Sequence, residues 1–207
     1  MIAVQTGSEH LTRAMRALEA IFLIGVEGVT EIWLVRHGDS YQDMTVVEDP
    51  PLSGVGREQA RRLAERVRRL QPAAVYSSPY RRALQTAQAI TDDVHVDPRL
   101  VEVVLDVGED GSLDLKEDPL AAATRMREAL ADVVRDHAGG RVVVVSHGAA
   151  IIACLSDVMR LEPGQLRVLP YYTSISTVRV LGERRMVGGI GDTAHLEAPP
   201  ALRATSP

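Results

Sequence analysis

The chain has 207 residues, 45% of them apolar; this is enough for one domain with a sizeable core and excludes disorder as the overall state. The net charge is −5, with acidic and basic residues spread along the chain, so no generic nucleic-acid-binding face is expected. No apolar run reaches membrane-spanning length, and one cysteine, Cys154, excludes a disulfide within the chain. Cys154 lies in an apolar stretch and reads as a small buried hydrophobe, which points to a reducing, cytoplasmic compartment.

In chain order, Leu11, Met15, Leu18 and Phe22 recur at helical spacing and predict an amphipathic helix from about Ser8 to Gly25. Glu19 in front of Ala20–Ile24, with no small-residue cleavage site after it, argues against a signal peptide. Residues 1–30 are thus an N-terminal helical extension. Packing on the core is its expected use; a homodimer contact is the alternative. Glu31–Val35 reads as a strand, residues 39–51 as a polar loop, and Ser53 as the cap of a helix. That helix carries Ala60, Leu63, Ala64 and Val67 on one face and many arginines on the other, a solvated surface. A strand over Ala73–Ser77 leads into a helix from Pro79 to about Ile90, and Val94–Val96 is a short strand. Glu102–Asp118 is an acidic loop, and Asp118-Pro119 starts a long helix that ends at Gly139-Gly140. Val142–Val145 reads as a strand buried on both faces, and Gly148 opens another helix. Ser174–Leu181 and Arg185–Ile190 form a hairpin around Gly182. The last ten or so residues, rich in Pro and Ala, are expected to form a flexible tail. The alternation predicts an α/β fold: a three-layer αβα sandwich with a mainly parallel sheet and an antiparallel edge hairpin.

In such sheets ligands gather at the carboxyl ends of the strands. Two strands end in a histidine followed by a glycine, Arg36-His37-Gly38 and Ser146-His147-Gly148; a third ends at Ser77-Ser78-Pro79, with Arg81 and Arg82 just beyond. Brought together, these ends supply two imidazoles and two or more guanidiniums. Glycines that admit close backbone approach and nearby helix starts complete a pocket suited to a phosphoryl group.

The motif LVRHG at 34–38 resembles the signature of the histidine phosphatase (phosphoglycerate-mutase-like) superfamily, branch 1. LSGVGREQARRL at 52–63, YSSPYRRALQTAQAI at 76–90 and VVVVSHG at 142–148 are similar to its later blocks, and DTAHL at 192–196 to a tail of small bacterial members. The likeness spans roughly residues 31–196, taken as the phosphatase domain. It implies that His37 attacks phosphorus and forms a phosphohistidine. It further implies that Arg36, Arg82 and His147 hold the phosphoryl oxygens, and that Glu102 is the proton donor, with Asp106 as fallback. Ser40 is a further candidate phosphate ligand. The chemistry calls for no metal or cofactor, and no metal-ligand spacing appears. The expected partner is a small-molecule phosphate ester, not nucleic acid or a membrane.

Three features depart from the family pattern. Asp43 replaces an asparagine that touches phosphate in many members. The block after Glu102 is eroded to Gly108-Glu109-Asp110-Gly111, and no Asp follows His147. The leading expectation is a metal-independent phosphatase. The alternatives are phosphoglycerate-mutase-type transfer, a protein phosphohistidine phosphatase, and a catalytically silent phosphate-ester-binding module. His10, His95 and His137 read as structural or solvated; His195 is ambiguous and is not assigned to catalysis.

Overall fold

The computed structural model describes residues 2–40, 49–108 and 113–197. Asp43, Glu109, Asp110, Gly111 and the tail from residue 198 lie outside the described residues. The elements are α1 (Ile2–Ile21), β1 (Thr30–Arg36), α2 (Gly54–Arg68), β2 (Ala74–Ser77), α3 (Arg81–Gln88), β3 (His95–Val96), β4 (Leu105–Val107), β5 (Leu113–Leu115), α4 (Pro119–Asp136), β6 (Arg141–Ser146), α5 (Gly148–Met159), β7 (Ile175–Leu181) and β8 (Arg184–Asp192). Short 3-10 turns cover Pro98–Leu100 and Ala194–Leu196.

Six strands form one sheet in the order β3-β2-β6-β1-β7-β8. β3, β2, β6 and β1 are parallel, and the β7–β8 hairpin adds an antiparallel edge. Alternating side chains divide the core. Ile32, Leu34, Val142 and Val144 face α4 and α5, while Trp33, Val35, Val143 and Val145 face α2 and α3. The sandwich expected from the strand–helix alternation is therefore the observed fold. The run Val142–Val145 is wholly buried, as its unbroken apolar character requires of a strand covered on both faces.

Helix starts follow their caps. The Ser53 hydroxyl accepts from the Gly56 amide at 3.0 Å, and Asp118 accepts from Leu120 at 2.9 Å ahead of Pro119. Each such cap stabilises its helix by about 1 kcal/mol.

Four expectations need correction. Pro79 is not the first residue of α3: Tyr80 is still extended, and the helix begins at Arg81, whose amide donates to Asp49 at 2.9 Å. The acidic stretch 102–118 is not only loop, since β4 and β5 pair antiparallel within it. The arginine face of α2 is more than solvated. Arg68 donates to the Ile90 and Ala89 carbonyls at the end of α3 (2.9 and 2.6 Å); Arg66 pairs with Asp192 across to β8. Finally, α1 does not pad the core: Leu11, Met15, Leu18 and Phe22 are all about half exposed or more. Its C-terminal end is tied to the β7–β8 turn by Arg184, which donates to the Ala20 and Ile21 carbonyls.

The contact that places the site is made by two glycines. A Cβ on Gly56 would lie 1.9 Å from the Asp39 carbonyl oxygen, and one on Gly38 would lie 2.7 Å from the Gly56 oxygen. The first turn of α2 therefore rests directly on the backbone that follows His37. Gly54, in the same turn, has room for a side chain. Gly56→Ala is expected to cost about 1–3 kcal/mol, because backbone must move to relieve the overlap. Gly54→Ala should leave stability unchanged or raise it by up to ~1 kcal/mol. Urea denaturation of the two variants checks the contrast; equal stabilities would refute it.

Candidate active site

The parallel register brings the strand ends level. Arg36 pairs with Ser146 across β1 and β6, and Ser77 with Val145 across β2 and β6. The next residue of each strand continues the ladder: the His37 amide donates to the Ser146 carbonyl and the Ser78 amide to the Val145 carbonyl, each at 3.0 Å. His37, His147 and Ser78 thus stand side by side at one sheet edge.

His37 is 5% exposed. Its Nδ1 lies 2.7 Å from the Gly38 carbonyl oxygen. A carbonyl only accepts, so Nδ1 carries the proton and Nε2 keeps its lone pair. Arg82 Nε donates to that Nε2 at 3.2 Å. Burial first, and then the charges of Arg82 and Arg36, push the His37 pKa down to about 3 against the opposing Gly38 bond. The ring is therefore neutral, with an available nitrogen, at physiological pH. His147 is fully buried, its ring centroid 5.1 Å from that of His37. Burial, with His37 and the surrounding arginines behind it, holds its pKa well below the ordinary value.

The two phosphate-binding candidates are held in different ways. The Arg36 guanidinium lies 4.1 Å over the Tyr172 ring, and Nη1 donates to the Pro170 carbonyl at 2.9 Å. Its Nε is buried with no hydrogen-bond partner among the described residues, and so is His147 Nδ1. Two orphaned polar atoms beside a neutral imidazole are what an anionic ligand would satisfy. Arg82 lies 5.0 Å over the Tyr80 ring and 3.5 Å from an Asp49 oxygen. Burial pushes its pKa down, Asp49 and Glu102 push it up, and at neutral pH it remains a cation.

Glu102 Oε1 accepts from its neighbour Val103 N at 2.9 Å and from Ala150 N at 3.1 Å, in the first turn of α5. That anchors the carboxyl against the end of α5 that begins at His147. Arg125 of α4 fixes the segment by donating to the Arg99 and Val101 carbonyls (2.7 and 2.8 Å) while paired with Glu117. Asp106, the fallback acid, is exposed and paired with Lys116. Ser40 is half-buried in an antiparallel bridge with Leu52, on the chain leaving the site.

The glycines after the two histidines clear space for the protein's own atoms more than for a ligand. A Cβ on Gly148 would meet Leu169 Cδ1 at 3.1 Å and Arg36 Nε at 3.5 Å. The loop after β1 is held by α3: Thr86 Oγ1 accepts from Gly38 N at 3.0 Å, and Gln85 Oε1 from Leu52 N at 2.8 Å.

Sequence reasoning missed Tyr172, Thr173 and the use made of Ser78. Thr173 has a positive φ of 56° and donates its amide to the Arg36 carbonyl at 2.9 Å. Its hydroxyl lies 3.0 Å from His195 Nε2, which gives His195 a supporting place behind the site; burial takes its pKa down to about 4. Nothing in the local pattern around residues 170–173 marks them, since their role comes from packing against Arg36. His137 bonds to Tyr76, and His95 stacks on the same ring.

The sequence profile of the histidine phosphatase superfamily (branch 1) matches residues 32–111 and 106–193. A protein named Probable phosphoglycerate mutase GpmB, from Enterobacter sp. (strain 638), is 30% identical over 208 residues, covering 82% of this chain and 96% of the relative. Among solved structures, the phosphoserine phosphatase of Entamoeba histolytica in complex with 3-phosphoglyceric acid is similar at a TM-score of 0.70. Its identity is 25%, over 81% of this chain and all of that one. YhfR of Bacillus stearothermophilus matches with the same TM-score and coverage at 24% identity. With its four motif blocks meeting at one sheet edge, the chain belongs to branch 1 of the histidine phosphatase superfamily.

Proposed function

We propose that the protein is a metal-independent phosphomonoester hydrolase that works through a phosphohistidine on His37. The observation that carries the reading is the state of that ring: neutral, its Nδ1 tied to the Gly38 carbonyl, its Nε2 facing Arg82, with the His147 ring 5.1 Å away and the Arg36 charge near enough to lower its pKa. In this reading Nε2 attacks phosphorus and the ester P–O bond breaks. Arg36, Arg82 and His147, with Ser40 at the rim, hold the phosphoryl oxygens. Glu102 gives a proton to the departing alkoxide. Water then attacks the phosphohistidine and gives a proton back to the Glu102 carboxylate; the P–N bond breaks, its electron pair returns to Nε2, and phosphate leaves. Phosphoryl transfer is mainly positioning and charge stabilisation, and one well-placed arginine contributes about 10³-fold or more. In this reading the two guanidiniums supply that positive charge.

Phosphoglycerate-mutase-type transfer is the second reading, favoured by the name of the Enterobacter relative. It needs free cations to hold the rest of an acidic substrate. Every Lys and Arg between Glu102 and His147 is already paired with a carboxylate: Lys116 with Asp106, Arg125 with Glu117, Arg127 with Asp157, Arg135 with Asp132, and Arg141 with Glu31. That supports hydrolysis over transfer. Cytoplasmic residence is proposed on the buried Cys154 thiol, whose pKa burial raises to about 12. Among the described residues no helix is long and apolar enough to cross a membrane.

The wild-type protein is expected to hydrolyse p-nitrophenyl phosphate in EDTA, with turnover abolished in His37→Ala. No turnover by the wild type, alongside 3-phosphoglycerate mutase activity, would replace this reading with the second. Glu102→Gln should lower kcat by about 10²–10⁴-fold on alkyl phosphates, whose alkoxide needs a proton. It should lower it far less on p-nitrophenyl phosphate, whose leaving group needs none; equal losses on both would remove Glu102 as the acid. Because protonation of His37 sets in only toward about 3, an NMR titration should find its ring neutral from pH 8 down to about 5. A midpoint near the ordinary 6.5 would contradict the burial argument.

A further inference from the structure

We propose that Ser78 is a positioning residue that sets the tautomer of His147. In this assignment its hydroxyl donates to Nε2, so the one ring proton sits on Nδ1, as a donor for a phosphoryl oxygen. The use of that donor rests on the phosphatase reading; the tautomer itself does not.

Ser78 is fully buried, and its Oγ lies 2.8 Å from His147 Nε2. The same oxygen accepts from the Tyr80 amide at 3.3 Å. An amide N–H can only donate, so that contact occupies a lone pair and leaves the hydroxyl proton to be placed. If Nε2 carried the ring proton, Ser78 would accept twice and its own proton would have no acceptor among the described residues. Nδ1, also buried and unpartnered there, would then be a bare lone pair. With the hydroxyl donating to Nε2, both Ser78 contacts are satisfied and Nδ1 becomes an N–H. Unmade hydrogen bonds on buried groups are expensive, which favours the second arrangement.

The ring has only one proton to assign. It is 0% exposed, packed between His37 and the edge of the Tyr80 ring at centroid distances of 5.1 and 5.2 Å. Arg36 and Arg82 face the same site, and a second proton would add charge beside them. A neutral imidazole offers one donor and one acceptor, so the tautomer decides whether Nδ1 attracts or repels an anionic oxygen. In the other form a lone pair would face the ligand, and Arg36 Nε, likewise unpartnered and 3.5 Å from where a Gly148 Cβ would sit, would be the sole donor of the two. The Ser77-Ser78-Pro79 turn is thereby given a chemical task. β2 carries Ser78 to the β6 edge, and Tyr80, still extended, directs its amide back onto the Ser78 oxygen.

The test is the tautomer of His147 in the full chain labelled with ¹⁵N-histidine, read from long-range ¹H–¹⁵N spectra. The His147 signals are identified by their loss in His147→Gln. The expected wild-type pattern is a protonated Nδ1 and a bare Nε2. Ser78→Ala should move the proton to Nε2 or give a mixture. On p-nitrophenyl phosphate it should lower kcat about 10- to 100-fold, the range typical of groups that orient a reacting-site ligand, with KM changed less. Ser78→Thr, which keeps a hydroxyl, should restore the wild-type tautomer and most of kcat. A wild-type Nε2–H ring, or an unchanged tautomer in Ser78→Ala, overturns the proposal whatever the activity. The wild-type spectrum decides even if Ser78→Ala does not fold. If the tautomers behave as expected but the wild type turns over no phosphate ester, the phosphatase reading falls and the assignment of Ser78 stands.

Discussion

The level ending of three parallel strands is the constraint on which the site depends. β2, β6 and β1 are adjacent and in register, so residues distant in sequence reach the same sheet edge together. A register slip of one residue would turn the side chains of the slipped strand to the opposite face. Register is protected by burial: Ile32 and Leu34 must face α4 and α5 while Trp33 and Val35 face α2 and α3. The apolar core thereby aligns the polar site, although none of its members touches the chemistry.

At that edge the protein holds two buried imidazoles and two partly buried guanidiniums. Burial is the largest influence on both histidines, and the nearby positive charges reinforce it. The cost of desolvation is borne by losing protons, which leaves one nitrogen of the His37 ring unprotonated and the His147 ring a neutral hydrogen-bonding group. Arg82 stays charged in the same setting, because its ordinary pKa is too high for burial to neutralise it. Asp49 has two attachments: it accepts the first amide of α3 and lies beside Arg82. In the proposed reaction, an incoming phosphoryl group and the Asp49 carboxylate would compete for the same guanidinium.

Support for these groups comes largely from contacts that no motif spells out. The loop after β1 rests on the first turn of α2, and Thr86 and Gln85 of α3 bind its amides. Arg36 is stacked on Tyr172, and the amide of Thr173 holds the Arg36 carbonyl. Arg125 clamps the segment that carries Glu102. Each of these restrains a candidate site residue by packing or by a backbone hydrogen bond, the class of interaction that keeps a site preorganised.

Much of this was legible in the sequence, and for local reasons. The helical periodicities, the Ser53 and Asp118 caps and the unbroken valines of β6 determined the elements and the sandwich. The Arg-His-Gly, Ser-Ser-Pro and Ser-His-Gly motifs marked the strand ends that meet. Where the sequence misled, a non-local contact decided. Pro79 is a common first helical residue, but Tyr80 stays extended and α3 begins two residues later at Arg81, whose amide donates to Asp49. The stripe on α1 has the pattern of a buried face, yet its side chains are exposed, because periodicity reports amphipathicity and not a partner. The sequence by itself determined which residues could do phosphoryl chemistry, since residue type and strand-end position are encoded locally. Only the tertiary structure decided which nitrogen of His37 is unprotonated, what Ser78 contacts and what Tyr172 supports, because those follow from neighbours that chain order does not reveal.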